Sequence, residues 1–155
     1  MKFQLDTLDT RTLSELGVEM VVRKIGSMEA VWTTPKGATE PVQMKIRLLG
    51  PDSDKYASLQ RTISAQRIAR AGDASRSSGA LDPTQEYKLL DEEELESLAA
   101  LTLSWQGMFN AETGEAIPCN QQTAAELYRQ CPAIRDQASR FSGSRVNFSQ
   151  RPAGG

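Results

Sequence analysis

The side chains best suited to chemistry in this 155-residue chain are carboxylates and thiols, because the sequence contains no histidine. Histidine is the commonest general base and a frequent metal ligand, so its absence removes many catalytic and metal sites. The densest acidic run is residues 91–94. Consecutive side chains spread around a helix and do not converge on one ion, so a solvated helix face explains this run best. We expect no metal, no cofactor and no enzyme activity.

The two cysteines offer little further chemistry. Cys119 and Cys131 have neither a second cysteine pair nor a histidine with which to bind zinc. No run approaches the roughly 20 apolar residues of a membrane-spanning helix. The first residues also lack the apolar block of a signal peptide. These features predict a cytosolic protein without a membrane partner, in which both thiols stay reduced.

Charge is distributed unevenly along the chain, although the formal net charge is only −2. Residues 55–80 carry five basic side chains and one acid, whereas residues 81–100 carry seven acids and one lysine. Arg61, Arg67 and Arg70 are therefore candidate partner contacts. Few lysines and stacking aromatic residues accompany them, so nucleic-acid binding is the weaker interpretation. Pairing with the acidic segment, within one chain or between self-associating subunits, is the stronger one.

The N-terminal region, residues 1–50, has the pattern of a small antiparallel β-sheet. Residues 18–25 are rich in β-branched side chains, and residues 42–49 alternate between apolar and polar types. A short strand is also expected at Val31-Trp32, and an edge strand around Phe3 and Leu5. A sheet of this size needs a covering helix for stability.

Residues 51–80 are predicted to form a basic helix followed by a linker. The helix is expected from about Ser53 to Ala71, with Asp52 or Ser53 capping its first turn. Its apolar stripe gives way to arginines halfway along, so the second half should project from the core. The segment 72–79 is rich in serine and glycine, which is typical of a flexible linker.

Residues 81–150 are predicted to be mainly helical. Asp91 and Glu94 have the spacing of a helix cap, and the helix is expected to continue through Trp105. Trp105 would then pack at the centre of this half of the chain. The turns and the cap that follow are assigned to Gly107, Gly114, Pro118 and Asn120.

The last helix is expected to begin at Pro132, which ends the preceding helix and suits a first turn. Its apolar stripe includes Phe141, and Phe148 would continue it. Residues 151–155 are predicted to be a disordered tail. The sequence as a whole predicts an α+β fold with a small N-terminal antiparallel sheet and a mainly helical C-terminal part.

Short motifs follow one another in a characteristic order between about Val42 and Phe148. They are Leu48-Leu-Gly-Pro-Asp-Ser-Asp54 leading into the basic helix, Leu103-Ser-Trp-Gln-Gly107, Gly114-Glu-Ala-Ile-Pro-Cys-Asn120, Ala124-Ala-Glu-Leu-Tyr128, Pro132-Ala-Ile-Arg135 and Arg145-Val-Asn-Phe148. In this order the chain resembles the tail assembly chaperones of long-tailed bacteriophages. It departs from them in the long Ala/Ser/Arg stretch of residues 64–80.

The resemblance implies a role and no catalytic residue. Such chaperones act in the host cell cytoplasm during infection and are absent from the finished virion. They keep the helical tape measure protein soluble and help to bring tail tube protein to it, and some also exist in a longer, frameshifted form. A phage chaperone of this kind is therefore the expected function. The alternatives are a structural virion protein of the tail or neck and a phage-encoded nucleic-acid-binding regulator.

A chaperone for an apolar helical client needs apolar residues that are not fully buried. The candidates are Met108 and Phe109, in the loop after Gly107, and Phe141 and Phe148 on the last helix. Core packing is the competing interpretation for each of them.

Overall fold

The computed structural model describes residues 1–77 and 82–149 of the chain. It confirms the predicted α+β fold, with a small antiparallel sheet and a mainly helical C-terminal region. The end of the predicted linker and the predicted disordered tail fall outside the described residues. In chain order the elements are α1 Arg11–Leu16, β1 Val18–Val21, β2 Trp32–Thr33, β3 Val42–Gln43, β4 Lys45–Leu48, α2 Asp54–Arg76, α3 Pro83–Leu101, β5 Thr102–Gln106, α4 Gln121–Gln130, α5 Pro132–Ser142 and the 3-10 helix Arg145–Phe148.

Strand β4 lies at the centre of the three-stranded sheet, between β1 and β5, and both pairings are antiparallel. Its side chains alternate as predicted, since Ile46 and Leu48 are buried while Lys45 and Arg47 are partly exposed. The predicted strand 42–49 is interrupted at Met44. Its first two residues belong instead to a separate two-stranded sheet with β2, which confirms a strand at Trp32.

The prediction of a helix through Trp105 is wrong. Helix α3 ends at Leu101, and Trp105 lies on strand β5 opposite Ile46. The apolar stripe of α3 is otherwise as expected, because Leu95 and Leu98 are buried. Residues 102–106 include threonine and tryptophan, which favour strands, and pairing with β4 overrides the apparent helical spacing.

The predicted start of this helix at Asp91 is also wrong. Helix α3 begins at Pro83, and the Asp82 carboxylate caps it by accepting a hydrogen bond from the Thr84 amide at 3.0 Å. Proline at the first helical position lacks the amide that would otherwise stay unpaired. Asp91 therefore lies within the helix and Glu94 closes no capping box.

Helix α2 begins as predicted, because Ser53 Oγ accepts a hydrogen bond from the Tyr56 amide at 3.2 Å. The helix continues through Gly72 to Arg76, so the predicted linker does not start at Gly72. Helix α2 packs against α3. Arg70, in its basic half, pairs with Glu86 and Glu93 of α3, so that half runs along a neighbouring helix.

The N-terminal residues differ from the prediction as well. Phe3 and Leu5 belong to no strand, and they are 72% and 51% exposed. Helix α1 follows them and was not expected from the sequence. The Asp9 carboxylate accepts hydrogen bonds from the amides of Arg11 and Thr12, which stabilises the first turn of this helix.

The predicted starts of the last two helices are confirmed, but Phe148 does not continue the last one, because it lies on the separate 3-10 helix Arg145–Phe148. Asn120 Oδ1 accepts from the Thr123 amide at 2.9 Å, and Thr123 Oγ1 accepts from the Asn120 amide at 3.0 Å, so the two residues form a reciprocal cap. Pro132 is the first residue of α5, and Gly143 follows its last residue.

Three arginines from three helices bind the acidic face of α3. The pairs are Arg70 with Glu86 and Glu93, Arg129 with Glu92 and Glu96, and Arg135 with Asp91. The hydrogen bonds from Arg70 lower the pKa of Glu86. The basic segment 55–80 and the acidic segment 81–100 thus pair within one chain, through Arg70. This is one of the two predicted arrangements, the other being pairing between subunits.

A buried pair of hydroxyl groups joins α3, β5 and α4. Thr102 Oγ1 lies 2.9 Å from the Leu98 carbonyl oxygen and 2.7 Å from the Tyr128 hydroxyl. Since the carbonyl can only accept, Thr102 donates to it and Tyr128 donates to Thr102. Tyr128 is 1% exposed and belongs to the main apolar core, together with Met20, Ile46, Leu48, Leu95, Leu98 and Ala124.

Thr102→Val should destabilise the protein more than Tyr128→Phe. The first variant leaves the buried Tyr128 hydroxyl without an acceptor, which costs about 1–3 kcal/mol. The second loses one hydrogen bond while Thr102 still donates to Leu98, a cost of about 0.5–1.5 kcal/mol. Urea unfolding of both variants and of the double variant measures this, and equal costs would contradict the assigned donor directions.

The same tyrosine predicts a loss of stability in alkali. Burial raises the pKa of Tyr128 from 10.0 to about 12. The folded state therefore holds this proton more tightly, so the stabilisation is complete below pH 10 and is lost as the pH rises toward 12. Urea unfolding across this range should show a steeper decline for the wild type than for Tyr128→Phe. Parallel curves would refute this contribution.

Candidate partner-binding groove

An apolar groove of about 780 Å³ lies between helix α4 and the segments that follow β2 and β5. We call it the Trp105 groove. Its apolar lining consists of Met44, Trp105, Met108, Phe109, Ile117 and Leu127. Residues from both halves of the chain therefore form a single concave surface.

Trp105 is partly buried, and it packs against the edge of the main core. Tyr128 takes the central position that was predicted for Trp105. The indole Nε1 of Trp105 donates a hydrogen bond to the Ile117 carbonyl oxygen at 2.7 Å. Because its polar atom already has a partner, the tryptophan can offer apolar ring surface to the groove without an unsatisfied donor.

Gly107 brings the segment after β5 against the strands of the N-terminal half. Its φ is +82°, and a Cβ at this position would lie 2.9 Å from Met44 Cα. Its carbonyl oxygen accepts a hydrogen bond from Thr33 Oγ1 at 2.7 Å. Glycine suits this site because it tolerates both the left-handed backbone and the close approach.

The turn predicted at Gly114 is confirmed. It begins at Asn110 and shapes one end of the groove. Asn110 Oδ1 accepts from the amides of Glu112 and Thr113, and the Gly114 amide donates to the Asn110 carbonyl at 2.8 Å. A Cβ on Gly114 would lie 2.4 Å from the Lys36 carbonyl oxygen. The turn is therefore pressed against the loop after β2.

The rim of the groove carries one charge of each sign. Lys36 donates to the Glu112 carbonyl oxygen at 3.0 Å, and Glu126 accepts from the Gln130 side chain at 3.0 Å. Both residues are exposed. Among the described residues, neither makes an ion pair. Both charges remain open to a partner.

The four apolar candidates lie in different environments. Met108 is 7% exposed and lines the Trp105 groove, where the partly buried Phe109 also lies. Phe148 is completely buried, and its ring lies edge-on to Phe141 with the centroids 5.6 Å apart. The folded chain therefore offers no exposed surface at Phe148, and Phe141 lines a different cavity.

The three arginine candidates also differ in their exposure and in their ion pairs. Arg61 and Arg67 are exposed, whereas Arg70 is occupied by Glu86 and Glu93. Arg70 thus has a structural role in the packing of α2 on α3.

Sequence reasoning missed Met44, Ile117 and Leu127 as groove residues, and it placed Trp105 in the core. Met44 lies in the alternating run of residues 42–49, which predicts one continuous strand, and Leu127 lies in the region predicted to be mainly helical. Proline and glycine residues around positions 35–37 and 114–118 were the available signal, because they mark where the chain turns to form the walls. The pairing of the two turns with each other has no local signal.

The cysteines and the acidic side chains are the other candidates for a reactive or metal-binding site. Both cysteines are free, and burial raises the pKa of the Cys119 thiol. Within residues 1–77 and 82–149, no group of three or more histidine, cysteine, aspartate or glutamate residues could hold a metal ion. No helix in that part of the chain has the length and apolarity needed to cross a membrane.

Comparisons of this chain with protein-family models, with curated proteins and with solved structures found no match.

Gly107→Ala should destabilise the protein more than Gly26→Ala. The two glycines have similar φ values, +82° and +87°, but a Cβ at Gly26 would meet nothing within 4 Å. Both variants carry the left-handed backbone cost of about 1–2 kcal/mol, and Gly107→Ala adds a clash with Met44. Urea unfolding should show at least ~1 kcal/mol between them. Equal stabilities would mean that the backbone around Gly107 moves to accommodate the Cβ at no cost in the free energy of unfolding.

Proposed function

We propose that this protein is a phage tail assembly chaperone that holds the tape measure protein soluble through the Trp105 groove. The observation that carries the proposal is the apolar lining of this groove, with Phe109, Trp105 and Leu127 all partly exposed. The order of motifs between about Val42 and Phe148 supports the same role. Two further parts of the proposal rest on that resemblance alone. They are that the protein acts on its client in the host cytoplasm and that it recruits tail tube protein.

The shape and chemistry of the groove suit an amphipathic helix. Helix-in-groove recognition uses apolar side chains three and four residues apart on the ligand, which enter an apolar cleft. Methionine adapts its shape to different side chains, and the lining contains both Met44 and Met108. A chaperone has to bind many similar stretches of a long client and then release them, so an adaptable and shallow surface fits the role.

The charges of the chain support this choice of site. Arginines on three helices neutralise most of the acidic face of α3 within the chain. The rim charges of Lys36 and Glu126 stay available, and they can orient a helix that carries the opposite charges. The apolar lining of the groove therefore provides affinity for a helix, and the charges on its rim fix the orientation of that helix.

Co-expression with the tape measure protein tests the proposal. The double variant Phe109→Ser, Leu127→Ser removes apolar surface worth about 1.5–3 kcal/mol per side chain, so the soluble client should fall by more than about tenfold. The control is Ile68→Ser, Leu89→Ser, which changes exposed apolar residues on α2 and α3. The control should keep the client soluble.

Circular dichroism and thermal melts must show that the groove variant is folded. A folded groove variant that solubilises the client as well as the wild type would refute the proposed site. Mass spectrometry of purified virions separates a chaperone from a structural tail or neck protein, because abundant copies in the particle would contradict the chaperone role.

A further inference from the structure

Among the described residues, strand β1 pairs only with β4, so its other edge is free. The Val22 amide donates to the Met44 carbonyl, so Val22 directs its backbone groups toward the centre of the sheet. Backbone directions alternate along a strand, so those of Glu19, Val21 and Arg23 point outward. At Arg23 the outward groups are occupied, because the Gln137 side chain accepts from its amide at 2.8 Å and donates to its carbonyl at 2.9 Å. Among the described residues, Glu19 and Val21 have no such partner.

A cleft of about 920 Å³ runs along this edge, with α5 and the 3-10 helix on its other side. Its apolar lining includes Phe141 and the highly exposed side chains of Ile25, Met28 and Val146. Met28 has a φ of +61°, which is uncommon for a residue other than glycine. The cleft therefore combines an unpaired strand edge with exposed apolar side chains. Unpaired edges of this kind accept an added strand.

The N-terminal arm, residues 1–8, has the matching chemistry. Its apolar residues alternate at Met1, Phe3 and Leu5, which is the pattern of a strand with one apolar face. The arm forms no strand in its own chain, and its Phe3 and Leu5 are 72% and 51% exposed. The arm thus has the sequence pattern of an edge strand but pairs with no strand among the described residues.

The arm lies next to the cleft but outside it. The Leu8 amide donates to the Leu5 carbonyl at 2.8 Å, so the arm turns back before α1. Phe3 and Leu5 line a neighbouring cavity, which shares Val146 with the β1 cleft. The apolar surface of the arm thus continues into that of the cleft.

Charge is also complementary. The arm carries Lys2 and Asp6 on either side of its apolar pair, and the α5 wall of the cleft carries Asp136 and Arg140. Within residues 1–77 and 82–149, none of these four side chains makes an ion pair.

We propose that the N-terminal arm of a second copy adds to the free edge of β1 and fills this cleft. Each copy supplies one arm and one cleft, so the exchange closes into a two-fold dimer. The outward backbone groups of Glu19 and Val21 form the hydrogen bonds, and Phe3 and Leu5 contact the apolar wall. Gln137 ends the added strand at Arg23. This inference uses a different surface from the Trp105 groove and does not depend on the proposed function.

Light scattering after size exclusion, over a range of concentrations, tests the proposal. The wild type should show a concentration-dependent dimer. Phe3→Ser, Leu5→Ser should weaken the dimer by at least roughly 100-fold, since two apolar side chains on each of the two arms lose their burial. The control Ile68→Ser, Leu89→Ser changes residues that are 73% and 46% exposed, close to the values for the arm, and should dimerise like the wild type.

Val21→Pro provides a second variant, because proline removes the outward amide of an edge position. It should weaken the dimer at least about tenfold, and a labelled peptide of residues 1–8 should bind Phe3→Ser, Leu5→Ser but not Val21→Pro. A wild type that stays monomeric up to millimolar concentration would overturn the proposal. So would a dimer that Phe3→Ser, Leu5→Ser leaves intact, or protection of the Glu19 and Val21 amides in a monomer.

Discussion

The pairing of β5 with β4 is the interaction on which the rest of the structure depends. It joins two parts of the chain that are far apart in sequence, with Trp105 opposite Ile46 and Thr102 opposite Leu48. Thr102 stands where α3 becomes β5, and its hydroxyl binds both Leu98 and Tyr128. Without β5 the remaining two strands would be marginally stable. The pairing also carries Gly107 against Met44, and so creates the groove between the two halves.

The ion pairs within the chain limit how its charged side chains can bind a partner. The acidic face of α3 is bound by arginines from α2, α4 and α5, which fixes how these helices pack. Ion pairs that stay in contact with solvent, as those of Arg129 do, contribute little to stability. They leave apolar surface, at the Trp105 groove and along the edge of β1, as the surface through which we propose that partners bind. The charged segments that stand out in the sequence are thus mainly structural.

Features set by neighbouring residues could be predicted from the sequence, whereas those set by distant contacts could not. The caps at Ser53 and Asn120, the turn at Gly114 and the alternation in β4 depend on residues a few positions apart. The helical assignment of Trp105 failed because pairing with β4 overrode local spacing. Phe148 looked available near the terminus, yet its ring is buried against Gly50. Of the groove lining, only Met108 and Phe109 were predicted as partner contacts. Trp105 was expected in the core, and the other wall of the groove depends on contacts between distant parts of the chain.

Hydrogen exchange with mass spectrometry on the complex with the tape measure protein tests the central claim most directly. Binding in the Trp105 groove should slow the exchange of amides in residues 33–37 and 108–117, since these segments form its walls and are short and partly exposed. Amides of α2 should exchange as in the free protein. Slower exchange confined to α2, or to the edge of β1, with no change in those two segments, would contradict the assignment of the groove as the client-binding site.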